Sequence, residues 1–148
     1  MTIGVGLVCS DGIVICADRQ MTGEGGYKFE GSKISTSQKN DYSLVYTYAG
    51  DPDAGQMMFE KSEEALRQEI WHGSEFDDMG SAAQRTIEKV FRDKHAKNLQ
   101  TLFAISAHGQ QFLIKTNETK VVRGKAYCIG YGDSSVLRMS VTFCFLRP

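Results

Sequence analysis

The sequence lacks any run of about 18 apolar residues, so it contains no candidate transmembrane helix. The first residues, Met-Thr-Ile-Gly, include no basic region followed by an apolar stretch, so no secretory signal peptide is visible. Internal repeats and low-complexity segments are missing as well. These absences favour a cytoplasmic protein that folds as one domain over residues 1–148 and does not bind membranes.

An excess of one charge is also lacking. The chain has 17 Lys and Arg against 18 Asp and Glu, a balance that argues against a nucleic-acid-binding protein. The four cysteines form no C-x-x-C pair and three lie in apolar runs, so we expect reduced, buried thiols. The three histidines show no metal-ligand spacing, so no metal site is expected. The hydrophobic fraction of 41% is enough for a packed core.

The first fifty residues have the period-two pattern of β-strands. Apolar residues alternate over residues 3–9, Asp11-Gly12 predicts a hairpin turn, and the apolar run 13–17 predicts the returning strand. Because that run is apolar on both faces, we expect it to be covered on both sides. The glycine-rich stretch 19–32 predicts a loop or distorted strands. The next two strands are predicted at residues 33–35 and 43–49.

The period then changes to that of helices. Apolar residues on one face predict a helix over residues 51–72, with Asp51 or Asp53 as its N-cap and Pro52 in its first turn. A second amphipathic helix is predicted at residues 77–97. The short polar link between the two helices predicts that they pack antiparallel.

Strand patterns return in the last third of the chain. A third helix is predicted to begin near residues 133–137, and the apolar segment 141–148 would be its fading end. The order of strands, two helices, strands and helix predicts an α+β domain, with helices segregated from antiparallel sheets. The strands of this part are predicted at residues 101–107, 111–115, 120–122 and 126–130.

Thr2 suggests the first chemical hypothesis. Removal of Met1, which is usual before a residue as small as Thr, would leave a free α-amino group beside the hydroxyl of the same residue. An α-amino group has a reference pKa of roughly 8, so much of it is neutral at pH 7 and available as a general base. Many proteins begin with Met-Thr, so this pair alone carries little weight.

The surroundings of Thr2 resemble the start of a mature proteasome β-type subunit, a member of the N-terminal nucleophile (Ntn) hydrolases. The pattern is Thr, a Val-Gly strand, an acidic-Gly hairpin, an apolar strand and then Ala-Asp-Arg at residues 17–19. Lys33-Ile34, Tyr48-Ala49-Gly50 before a helix, and the Gly-x-Gly turn in residues 128–133 follow in the family's order. The resemblance spans nearly the whole chain and implies an Ntn-hydrolase sandwich of antiparallel sheets flanked by helices.

The resemblance also implies an activity, that of a threonine-type endopeptidase working through an acyl-enzyme. Thr2 lies at the position of the nucleophile, Lys33 at that of the catalytic lysine, and Asp18 at that of the acid that holds the lysine. Gly50 lies where a backbone N–H stabilises the oxyanion. The positions that line the side-chain pocket, which would be apolar and of medium size, correspond to Met21 and Tyr48.

The resemblance further implies peptide or unfolded-protein substrates and a homo-oligomer such as a ring. It implies no cofactor, because the base is the chain's own amine. If the assignment holds, we expect the Thr2 hydroxyl within about 4 Å of the Lys33 ammonium, since a longer separation forfeits a strong electrostatic contact.

Simpler interpretations of the same residues stay open. Asp18 beside Arg19 could form a surface ion pair, and Lys33 could be an ordinary solvated charge. Gly50 could serve only as the turn before a helix.

Two departures from the family pattern favour a second hypothesis. Tyr131 stands where the family has a serine that supports the terminal amine, with Ser134 nearby, and the C-terminal part of the family fold is missing. If the C-terminal layer is incomplete, we expect one sheet face to expose an apolar surface that binds a partner or aggregates. The alternative is therefore a non-catalytic or truncated proteasome-like structural subunit, and a remoter one is an Ntn amidase acting on small molecules.

Overall fold

The computed structural model describes residues 2–22, 24–39, 42–72, 78–94, 98–117, 120–130 and 141–146. The helices are α1 (Pro52–His72) and α2 (Met79–Lys94). The strands, in chain order, are β1 (Ile3–Cys9), β2 (Gly12–Asp18), β3 (Gln20–Thr22), β4 (Lys28–Glu30), β5 (Ile34–Lys39), β6 (Tyr42–Ala49), β7 (Gln100–Ala107), β8 (Gln110–Asn117), β9 (Lys120–Gly124), β10 (Ala126–Gly130) and β11 (Val141–Leu146).

These strands form three antiparallel sheets. One has the order β10-β1-β2-β11 and another the order β5-β6-β7-β8-β9, while β3 and β4 form a short ribbon. Each strand predicted up to residue 130 is present, and the ribbon lies in the stretch predicted as a loop or distorted strands. Antiparallel sheets with two helices confirm the predicted α+β class.

The five-stranded sheet has a hydrophobic core on each face. Phe103 and Ile105 belong to the core shared with the helices, together with Leu66 of α1. Leu102 and Ala104, which alternate with them along β7, belong to the core shared with the four-stranded sheet, together with Ile15 of β2. The period-two alternation of β7 therefore separates two cores, and the layers run from helices to five-stranded sheet to four-stranded sheet.

Both helices begin at an aspartate that caps them. The Ala54 N–H donates to Asp51 Oδ1 at 2.8 Å, so Asp51 is the N-cap of α1. The Ser81 N–H donates to Asp78 Oδ1 at 3.1 Å at the start of α2. Asp78 also pairs with Arg123, whose Nη1 lies 2.8 Å from its carboxylate and ties β9 to the helix. No helix in the described ranges is both long and apolar enough to cross a bilayer.

The prediction that residues 141–148 are the end of a helix is wrong. Residues 141–146 form β11, which pairs antiparallel with β2 from Val141 opposite Asp18 to Leu146 opposite Ile13. The segment is rich in aromatic and β-branched residues, which favour a strand, and β2 offers the neighbouring edge. The third helix predicted near residues 133–137 lies outside the described residues, as do Tyr131 and Ser134.

The prediction of buried cysteines is also wrong for three of the four, and the side chain of Cys144 lies outside the described residues. Cys9 and Cys128 are exposed and Cys16 is half-buried, and all three are free thiols. Strand alternation places Cys16 and Cys128 on the face of the four-stranded sheet opposite the buried side chains of Ile15 and Ile129. For the same reason β2 is not equally covered on its two faces, contrary to the expectation from its apolar run.

The N-cap of α1 provides a test of this fold. We expect Asp51→Ala to lower the free energy of unfolding by about 1 kcal/mol, because the Ala54 N–H loses its acceptor. Asp51→Asn keeps an acceptor oxygen at the same place and should stay close to the parent value. Urea unfolding followed by circular dichroism measures both, and equal losses in the two variants would contradict the capping role.

Candidate active site

Three strand ends bring the predicted site residues together. Thr2 immediately precedes β1, and Asp18 ends β2. Because Gly4 of β1 lies opposite Ala17 of β2, the start of one strand and the end of the other are adjacent. Lys33 immediately precedes β5 in the other large sheet. The site therefore lies where one end of the four-stranded sheet meets the five-stranded sheet.

The Lys33 ammonium is the centre of this cluster. Its Nζ lies 2.8 Å from Asp18 Oδ2 and 3.0 Å from Thr2 Oγ1. The lysine is only 4% exposed and the aspartate 3%, so the ion pair is shielded from water. The Thr2 hydroxyl thus lies within the distance expected for a strong contact with the ammonium.

Backbone donors hold the Asp18 carboxylate in place. The Ile3 N–H donates to Oδ1 at 2.7 Å and the Gln20 N–H to Oδ2 at 3.1 Å. Together with Lys33, they give the buried carboxylate three donors, which offset its desolvation. The bond to Ile3 also fixes the chain next to Thr2, so one side chain orients both the cation and the hydroxyl-bearing residue.

This arrangement can stabilise negative charge on Thr2. An ammonium that donates to a hydroxyl oxygen favours the alkoxide that forms when the hydroxyl loses its proton, and burial strengthens the interaction. Asp18 supplies the counter-charge that a buried ammonium needs and holds the Lys33 side chain in place. The cluster has the chemistry of an activated nucleophile.

Gly50 lies at the turn between β6 and α1, as predicted. Its φ is +136°, a conformation that residues with a β-carbon rarely adopt. A β-carbon there would also overlap the carbonyl oxygen of Asn98, so both the dihedral angle and the close backbone approach require glycine. The interpretation of Gly50 as a turn before a helix is therefore confirmed, and it is compatible with the predicted role of its N–H as a donor.

A cleft of about 350 Å³ adjoins this cluster. Both predicted pocket residues, Met21 and Tyr48, line it together with Thr2, Lys33 and Gly50. Burial, and then the carboxylates of Asp51 and Asp53, raise the pKa of Tyr48, so its phenol is neutral at pH 7. Sequence reasoning missed three lining residues, although each adjoins or nearly adjoins a predicted one: Gln20, Thr22 and Pro52.

The structure decides between the open interpretations of the charged residues. Asp18 pairs with buried Lys33 and not with Arg19, which is exposed. Lys33 is therefore not an ordinary solvated charge. The described part of the chain contains no cluster of residues that could hold a metal ion. The catalytic roles of Thr2, Asp18, Lys33 and Gly50 stay predictions.

The fold matches solved structures of Anbu proteins. An Anbu Gly-1 mutant from Hyphomicrobium sp. strain MC1 superposes with a TM-score of 0.70 at 19% identity, covering 89% of this chain and 60% of the other. Anbu (ancestral beta-subunit) from Yersinia bercovieri gives a TM-score of 0.64 at 16% identity, covering 90% and 61%. The chain thus spans about three fifths of their length. No protein-family model and no curated protein matches the sequence.

These matches correct the family suggested by the sequence. Identification with the proteasome β-type subunits is wrong, because the similar structures are Anbu proteins, which are proteasome-like but form a distinct branch. At these identities the likeness shows a proteasome-like α+β fold. The quoted motifs lie at strand ends and turns, such as Asp18 after β2 and Gly50 before α1, so they indicate the fold and not one branch of it.

The buried ion pair provides a test of the site geometry. We expect Asp18→Asn to lower the free energy of unfolding by about 3–5 kcal/mol, because it leaves the Lys33 ammonium buried without a counter-charge. Combined with Lys33→Met, the loss should be smaller than the sum of the single losses by about 1–3 kcal/mol. Urea unfolding of the four proteins in this cycle measures the difference, and strictly additive losses would show that the two charges do not interact.

Proposed function

We propose that the protein is an N-terminal threonine peptidase of proteasome-like fold, with Thr2 as its nucleophile once Met1 is removed. The observation that carries the proposal is the 3.0 Å contact between Lys33 Nζ and Thr2 Oγ1, backed by the buried Lys33–Asp18 pair. Burying an ammonium beside a hydroxyl costs desolvation free energy. Stabilisation of the alkoxide by this ammonium would explain why such an arrangement is present.

The proposed reaction begins with the α-amino group of processed Thr2. In its neutral form it takes the hydroxyl proton, directly or through a water molecule, while Lys33 stabilises the resulting charge on Oγ1. Oγ1 then attacks the scissile carbonyl carbon, and the carbonyl oxygen becomes an oxyanion that accepts a hydrogen bond from the Gly50 N–H. Collapse breaks the peptide C–N bond, and the departing amine takes the proton that the α-amino group accepted from the Thr2 hydroxyl. Water then hydrolyses the Thr2 ester and regenerates the enzyme.

The size and lining of the cleft favour substrates with a medium-sized apolar side chain. Met21 and the neutral ring of Tyr48 supply apolar surface beside Thr2, in a space that suits one side chain of a peptide. We propose peptides or unfolded polypeptides as substrates and self-association of the chain into a homo-oligomer, with a cytoplasmic location. The proposed chemistry uses the amine of the chain itself as its base.

A non-catalytic structural subunit is the second candidate function. The observation that favours it is the outer face of the four-stranded sheet, where apolar side chains are only partly covered: Val5, Leu7 and Val14. Leu7 is 44% exposed. Apolar surface of this kind marks interaction sites in soluble proteins. The two candidates differ in whether Thr2 reacts.

Substitution of Thr2 tests the peptidase proposal. We expect the purified chain to have the intact mass of the form without Met1 and to cleave peptides. Thr2→Ala should reduce kcat/KM by at least about 10³-fold, because it removes the attacking oxygen. Thr2→Ser keeps a hydroxyl and should retain measurable activity. Peptide hydrolysis followed by mass spectrometry provides the measurement.

Thr36→Ala is the matched control, since Thr36 is an exposed threonine of β5 and not among the residues that line the cleft. It should cleave at the parent rate. A chain that retains Met1, or hydrolysis that persists unchanged in Thr2→Ala, would contradict the proposal and leave the structural subunit.

The amine base predicts a pH dependence. Only the neutral amine accepts the hydroxyl proton, so kcat/KM should rise with pH, with a midpoint near roughly 8, the reference pKa of an α-amino group. Initial rates between about pH 6 and pH 9 measure this, and Thr2→Ser should show the same rise. A rate that falls as pH increases over this range would contradict the amine as base.

A further inference from the structure

Gln100 connects the two large sheets beside the candidate site. It is the first residue of β7 and lies opposite Ala49, the last residue of β6. Its side chain is half-buried, and Oε1 accepts a hydrogen bond of 3.2 Å from the N–H of Gly130, the last residue of β10. A polar side chain of the five-stranded sheet therefore holds the end of a strand in the four-stranded sheet.

Gly130 contacts both Gln100 and the backbone of Thr2, the candidate nucleophile. It lies opposite Ile3 on β1 and has a φ of +123°. A β-carbon at Gly130 would overlap the carbonyl oxygen of Thr2, so the two backbones are in direct contact. The end of β10, held by Gln100, therefore packs directly against the backbone of Thr2.

The residues just before Gln100 support the candidate oxyanion donor. Gly50 packs so closely on Asn98 and Leu99 that a β-carbon would overlap the Asn98 carbonyl oxygen. Asn98 itself has a φ of 55°, in the left-handed region that few residues other than glycine adopt. Residues 98–100 thus contact Gly50 through the backbone and reach Thr2 through the Gln100 side chain and Gly130.

We propose that Gln100 is a positioning residue that sets the separation between the Thr2 nucleophile and the Gly50 N–H. The inference rests on the proposed function, because it assigns this contact a role in the same reaction. Attack and oxyanion stabilisation both require these two groups at a fixed separation, and a misplacement of about 1 Å can cost roughly 100-fold in rate. Gln100 Oε1 helps to fix this separation, because it accepts the Gly130 N–H and so links the five-stranded sheet to the four-stranded sheet.

The test uses three variants of the full chain with Met1 removed. Gln100→Met keeps a side chain of similar length but loses the acceptor, whereas Gln100→Glu keeps an acceptor oxygen. Gln110→Met is the matched control, because Gln110 is an exposed glutamine at the start of β8. The probe is a peptide bearing a carbonyl electrophile, and the readouts are the rate of its attachment to Thr2 by peptide-mapping mass spectrometry and the kcat and KM for a peptide substrate.

We expect Gln100→Met to slow attachment and to lower kcat by roughly 10- to 100-fold, with KM close to the parent value. Gln100→Glu should recover most of the rate, and Gln110→Met should match the parent. Equal rates for Gln100→Met and the parent would overturn the inference. Gln100→Glu as slow as Gln100→Met would also overturn it, because the acceptor would then not matter.

A different outcome identifies failure of the proposed function itself. If the parent chain, freed of Met1, attaches no probe at Thr2, the nucleophile assignment is wrong and the positioning role is overturned with it. If the parent reacts and all variants react equally, only the role of Gln100 is wrong.

Discussion

The buried ion pair between Lys33 and Asp18 is the interaction that constrains how the two large sheets meet. Removing the Lys33 charge from water costs several kcal/mol unless a counter-charge and donors of good geometry compensate. Asp18 supplies the charge, and its carboxylate is in turn held by the Ile3 and Gln20 N–H groups. For the pair to form, the end of β2 and the segment before β5 must meet, so the ion pair fixes how the two large sheets adjoin at this end.

The same constraint explains why chemistry concentrates at this place. Thr2 immediately precedes β1, the strand paired with β2, and the Ile3–Asp18 hydrogen bond holds the chain where the Thr2 hydroxyl contacts the shielded cation. Gly50 reaches the same cleft from the turn between β6 and α1, where Asp51 caps the helix. Well-packed elements therefore hold each group, and the cleft between them remains open to a ligand. The buried ion pair, the hydroxyl beside it and the adjoining cleft are the observations on which the proposed peptidase function depends.

Local patterns in the sequence predicted most of the elements. Alternation in residues 3–9, the Asp11-Gly12 turn and the N-cap before α1 depend on neighbouring residues only, and the structure contains each of them. β11 was missed because its strand state depends on the edge of β2, more than 100 residues earlier in the chain. The exposure of Cys128 likewise depends on which face of its strand meets the second sheet, which the apolar run does not reveal.

The site was accessible to sequence reasoning only in part. Spacing alone left open whether Asp18 and Lys33 are surface charges. The resemblance to a known family supplied their pairing, although the matching structures are Anbu proteins. Gln100 gave no signal, because an isolated glutamine at a strand end has no motif. Its contact with Gly130 joins residues that are distant in sequence and becomes visible only once both sheets are in place.

In the proposed reaction, Lys33 activates the Thr2 hydroxyl for attack on a carbonyl carbon. The decisive measurement is a crystal structure of the processed chain after reaction with a peptide electrophile. We expect a covalent bond to Thr2 Oγ1, with Lys33 Nζ still within hydrogen-bond distance of that oxygen and the former carbonyl oxygen facing the Gly50 N–H. An adduct on another residue, or a Lys33 side chain turned away from the adduct, would contradict it.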